Sequence, residues 1–212
     1  RLHNSGLQKC FFSPEERTVA LLGRGGQIIF HDLPANKRLL AIKKGLENVC
    51  SVLFAPGAKA AAIVSAPAGA TPYGTVPYRP SRPATSGPAD YKFALCLLGP
   101  AKVLELKQEE TFLGWSPDGG LAVTAVGEGS AALRSTTSGQ VTRTIAGLKG
   151  KVTAAAFDPE GKRLALGCAS GEVSVRDPGS GRELAAAACS AEVTELLFSP
   201  QGNRLAGLSL IS

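Results

Sequence analysis

The chain has 212 residues, 44% hydrophobic, 19% charged and 6% aromatic, a balance that suits one globular domain with a sizeable core and excludes a disordered tail. Its formal net charge of +6 is uneven: residues 1–100 carry 12 Lys+Arg against 5 Asp+Glu, and residues 101–212 carry 11 against 12. No apolar run approaches the ~18 residues of a membrane-spanning helix, and the first twenty residues lack the apolar centre of a secretory signal, so a soluble protein with no membrane contact is expected.

Methionine is absent and the chain opens on Arg1, which is expected not to be the first residue of its gene. In chain order, a short aromatic-x-proline unit recurs at Phe12-Ser13-Pro14, Phe54-Ala55-Pro56, Trp115-Ser116-Pro117, Phe157-Asp158-Pro159 and Phe198-Ser199-Pro200. The prolines stand 42, 61, 42 and 41 residues apart, so three intervals fall in a period of about 40–45 residues and the long one marks a single insertion.

Each unit opens on an apolar run that ends at the aromatic, such as Val152 to Phe157 or Val193 to Phe198. The proline turn follows, then a second apolar stretch (Val19 to Leu22, Leu121 to Val126, Leu164 to Leu166), a Gly-rich turn and a third strand. The third strands are expected to end at Asp32, Ser135 and Asp177, each 18 residues past its proline. A further turn leads to a fourth strand, as at Arg38 to Ile42 and Val141 to Ile145, and the fifth unit offers only Val193 to Phe198 and Arg204 to Leu210. Four antiparallel strands per unit predict an all-β fold, a β-propeller of four complete blades and a partial fifth.

These residues resemble the WD-repeat β-propeller family over nearly the whole chain. His3 matches the family's histidine, nine residues before the aromatic, where Gly45, Leu106, Leu148 and Cys189 stand in the other units; Asp32 and Asp177 match its strand-closing aspartate. His31, Arg134 and Arg176 replace its tryptophan, so the family's buried hydrogen-bond network is incomplete in every unit. The resemblance implies a divergent propeller occupying 1–212, with blades at about 7–45, 46–107, 108–148, 149–190 and 191–212, and part of a larger ring of about seven. His3, Asp32, Asp177 and Trp115 are expected to be structural, Trp115 by packing between blades.

Residues 66–90 interrupt the second unit and hold six of the 14 prolines and two of the three tyrosines. Proline cannot donate to a ladder, so an extended arm is expected, either a disordered loop or a partner-binding segment through Tyr73, Tyr78, Arg79 and Arg82. Lys37, Arg38, Lys43 and Lys44 cluster within eight positions; they suit phosphate or an acidic protein, and equally a strand edge guarded by lysines.

The five cysteines form no Cys-x-x-Cys pair and read as buried free thiols in a reducing compartment, the cytoplasm, with nucleus or nucleolus as the alternative. Only His3 and His31 are available for acid–base work, Glu109-Glu110 reads as a solvated pair, and no nucleotide-binding or nucleophile motif occurs. The expectation is a non-enzymatic scaffold, without cofactor, metal or small-molecule substrate, that binds proteins in a multi-subunit complex. The alternative is an RNA- or ribosome-associated propeller, prompted by the basic first half and a likeness, at Pro67, Pro72 and Tyr73, to the propellers of eukaryotic translation initiation factors of the 2A and 3B type. A propeller enzyme is the least favoured reading.

Overall fold

The computed structural model describes residues 6–43, 46, 48–66, 92–107 and 109–209. Apart from one 3-10 turn at Pro56–Ala58, their regular structure is all β. The chain divides into two compact units, the first holding sheets 1 and 2 and the second holding sheets 3, 4 and 5.

Sheet 1 is an antiparallel meander of β1 (Leu7–Phe12), β2 (Thr18–Gly23), β3 (Ile28–Asp32) and β4 (Lys37–Ile42). Sheet 2 repeats it with β5 (Val49–Phe54), β6 (Ala60–Ser65), β7 (Lys92–Leu97) and β8 (Lys102–Glu105). The two sheets pack through one apolar cluster: Ala20, Leu22, Ile28, Phe30 and Leu40 meet Val49, Val52, Phe54, Ala61 and Ile63, with Phe30 and Phe54 edge to face at 5.9 Å.

In the second unit, sheet 3 comprises β9 (Glu110–Trp115), β10 (Leu121–Val126), β11 (Ala131–Ser135) and β12 (Val141–Ile145). Sheet 4 comprises β13 (Val152–Phe157), β14 (Leu164–Cys168), β15 (Glu172–Arg176) and β16 (Glu183–Ala188); β17 (Val193–Phe198) and β18 (Leu205–Ser209) form the two-stranded sheet 5. Leu113, Val123 and Leu133 pack on Val152, Leu164 and Leu166 of sheet 4, whose other face presents Ala154, Ala156 and Ala165 to Val193 and Leu196. Within this unit the first strands of successive sheets, β9, β13 and β17, lie against one another.

The expected strands are present with small shifts. β15 stops at Arg176, one residue short of Asp177, because Asp177 turns to serve the next loop; the second strand of the last sheet is Leu205–Ser209. In each four-stranded sheet the fourth strand is at an edge, and in sheet 4 the contrast is full: every residue of β16 is exposed, whereas every residue of β14, between two neighbouring strands, is buried.

Candidate interaction surface

The aromatic-x-proline units make the same turn five times. The amide of the middle residue donates to the carbonyl five residues on: Ser13 to Thr18, Ala55 to Ala60, Ser116 to Leu121, Asp158 to Arg163 and Ser199 to Arg204, at 2.8–2.9 Å. Its carbonyl accepts from the amide three residues on, where φ is positive: Glu16 (54°), Ala58 (50°), Gly119 (66°), Gly161 (71°) and Gly202 (72°). The polar side chain in the middle adds a cap, since Thr18, Leu121 and Arg204 amides donate to the hydroxyls of Ser13, Ser116 and Ser199. Proline fits the second corner because that amide has no ladder partner to lose.

Within each unit neighbouring turns touch. In the first, the Gly57 amide donates to Glu15 Oε1 at 2.8 Å. In the second, a Cβ on Gly161 would lie 3.6 Å from Pro117 Cδ, and one on Gly202 3.3 Å from Pro159 Cδ. Arg163 reinforces the last pair: Nε donates to the buried Asp158 carboxylate at 2.9 Å, Nη2 to the Gly202 carbonyl at 2.6 Å, and the guanidinium stands 5.5 Å from the Phe198 ring centre. The turns expose Pro117, Asp118, Pro159, Glu160, Lys162, Pro200, Gln201 and Asn203 in the second unit and, separately, Pro14, Glu15, Glu16, Arg17 and Lys59 in the first.

The strand-closing residues make a second recurring device. Asp32 Oδ1 accepts from the Ala35 amide, Ser135 Oγ from Ser138 and Asp177 Oδ1 from Ser180, each three residues on, at 3.1, 3.3 and 2.6 Å. The amide and hydroxyl of Ser180 hold the Asp177 carboxyl below the usual carboxylate range. The position before it, filled by His31, Arg134 and Arg176, ties strands together. His31 Nε2 lies 3.2 Å from Asn36 Oδ1, Arg176 Nη2 2.8 Å from Glu183 Oε2, and Arg134 Nη2 2.8 and 3.0 Å from the two oxygens of Glu110. Glu110 therefore departs from the solvated pair read with Glu109, because β9 draws it onto a covered sheet face; its side chain is 7% exposed.

Trp115 is half-buried and packs against Phe112 in a tilted arrangement, ring centres 4.7 Å apart and planes at 52°. By register with Ala122 it lies on the opposite face of sheet 3 from Val123, which faces sheet 4. Lys37, Arg38 and Lys43 are all exposed on or just past β4, the edge strand of sheet 1. The rise per strand residue separates Lys37 from Lys43 by about 20 Å, so the three mark an edge and do not converge on one anion. His3, Lys44 and the arm residues Tyr73, Tyr78, Arg79 and Arg82 lie outside the described residues.

Among the described residues no group of three or more His, Cys, Asp or Glu is placed to hold a metal ion, and no helix is long and apolar enough to cross a membrane. The fold and the turns define a protein of repeated four-stranded antiparallel sheets with a recurring turn surface. No family model matches the chain, and no curated protein matches it.

Proposed function

We propose that the chain is a WD-repeat-like β-propeller scaffold that binds other proteins within a larger assembly. The reading rests on the turns: the same hydrogen bonds fix each turn, and within each unit one turn touches the next, so each unit presents its exposed loop residues on a preformed turn surface. Contact between the first strands β9, β13 and β17 supports a radial stacking of sheets. A preformed surface of this kind loses little conformational entropy on docking, which favours recognition of a folded partner.

The test is a double charge substitution at two exposed turn tips, Glu160→Lys with Gln201→Lys. The variant should melt within a few degrees of the parent and lose at least about tenfold in affinity for the protein partner that cross-links to these turns. An unchanged affinity would overturn the assignment of this surface.

The exposed basic edge of sheet 1 favours a second reading, contact with RNA or the ribosome. If Lys37, Arg38 and Lys43 each meet a phosphate, the logarithm of RNA affinity should fall against that of salt with a slope of about −2. A flat salt response, or no RNA binding, removes this reading.

A further inference from the structure

Three polar residues stand at one end of the gap between sheets 1 and 2, the end away from the proline turns. Lys9 lies near the start of β1, Ser65 closes β6 and Lys92 opens β7. Side chains alternate along a strand, so each turns into the gap: Lys9 is two residues before Phe11, Ser65 two after Ile63 and Lys92 two before Ala94, all part of the cluster that joins the sheets. Ser65 and Lys92 are cross-strand partners, with Cβ atoms about 5 Å apart. Lys9 reaches over from sheet 1, close enough for its charge to act on the thiol of Cys50 near the start of β5.

None of these three side chains has a partner among the described residues. Ser65 is 5% exposed, yet its hydroxyl makes no hydrogen bond. Lys9 is half-buried, and neither it nor Lys92 forms an ion pair with a described residue. Glu105, the carboxylate on the same face of sheet 2 opposite Ala94, pairs with neither. A buried hydroxyl and two ammonium groups without acceptors leave a local deficit of oxygen atoms and of negative charge, and a bound oxyanion supplies both.

We infer that this end of the gap is a phosphomonoester site, which takes the phosphorylated side chain of a protein partner between Lys9, Ser65 and Lys92. Charge selects the ligand: two lysines match a phosphate monoester, which carries close to two negative charges at neutral pH, whereas a nucleic-acid phosphodiester carries one. Shape selects it again. The Ser65 hydroxyl is covered, so a ligand must enter end-on; a monoester hangs from a single stem, while a diester has chain on both sides and stays at the surface. The site lies at the opposite end of the sheets from the proline turns, so it stands whether or not those turns bind a partner.

Isothermal titration calorimetry in phosphate-free buffer tests this with N-acetyl-O-phosphoserine amide as the probe. The parent should bind it, and the unphosphorylated serine amide and the phosphodiester of a uridine dinucleotide should bind at least about tenfold more weakly. Lys9→Gln and Lys92→Gln should each weaken the probe about tenfold or more, and Lys37→Gln, on the edge strand β4, should leave it unchanged. Ser65→Ala should melt no lower than the parent without probe, since the hydroxyl has no partner to lose, and should gain less Tm than the parent when the probe is added. If circular dichroism shows Lys9→Gln unfolded, the exposed Lys92 carries the test. No binding of the probe, equal binding of the diester, or lysine variants that bind like the parent would each overturn the site. Inorganic phosphate that binds more tightly than the probe would overturn the protein partner in favour of a free ion.

Discussion

At the scale of single residues, the repeat is held by one positive-φ position in every turn and, in four of the five, by a polar middle residue, Ala55 being the exception. Asp158 is the strongest instance, because its buried carboxylate accepts from the Lys162 and Arg163 amides and from Arg163 Nε at 2.8–3.0 Å. Asp158→Ala strands these donors, and chemical denaturation should show a loss of about 2–3 kcal/mol; Ser199→Ala, with one neutral bond at the amide, should lose about 1 kcal/mol. Ala58 is a mismatch of the opposite kind: its φ of 50° puts a Cβ where three of the other turns have glycine. Ala58→Gly relieves that strain and should raise stability by about 0.5–1 kcal/mol, after the extra freedom glycine gains in the unfolded chain. A variant less stable than the parent would show that the turn tolerates alanine without strain.

At the scale of elements, the sheets carry irregularities that composition does not announce. Four of the first strands have a bulge four residues before the aromatic, at Gln8, Cys50, Thr153 and Thr194, while β9 has it at Leu113. In sheet 4 the bulged Thr153 uses its hydroxyl to bond the Val193 carbonyl of the next sheet at 2.7 Å. The displaced bulge in β9 accompanies the Glu110–Arg134 pair, which spans the sheet across β10. Glu110→Ala leaves a largely covered guanidinium without its partner and should cost about 3 kcal/mol, whereas the double change Glu110→Leu with Arg134→Met should recover most of that loss. Equal losses in the single and double variants would mean that the pair is solvated. Gly129 constrains its hairpin more tightly: at φ 67°, a Cβ would come within 2.5 Å of the Leu148 carbonyl oxygen, so the chain leaving β12 can pass only over glycine.

At the scale of the whole molecule, burial of small and apolar faces between sheets sets both stability and reactivity. Burial pushes the Cys96 thiol up to about 12 and the Cys168 thiol up to about 11, from 9.0. Both thiols stay protonated in the folded chain while the unfolded chain ionises above pH 9. Their contribution to stability is therefore full below pH 9 and is lost as pH rises through 11 and 12. Thermal melts across that range should show Tm falling from about pH 9 upward, and a thiol reagent at neutral pH should modify the exposed Cys10 while sparing Cys96 and Cys168 until unfolding. A Tm unchanged up to pH 11 would contradict the shift.

Sequence periodicity alone located the strands and proline turns, because a strand of alternating or continuous apolar residues and a turn built on proline and glycine are local events, decided within ten residues. It also marked Asp32 and Asp177, whose hydrogen bonds close three residues away. Pairs such as Glu110 with Arg134, 24 residues apart, and Asp158 with Gly202 through Arg163 became visible only when register and sheet stacking brought them together. Which apolar face is covered and which is bare, as between Phe54 and Phe12, likewise belongs to tertiary structure: both are aromatic ends of a first strand, and only the presence of a neighbouring sheet tells them apart.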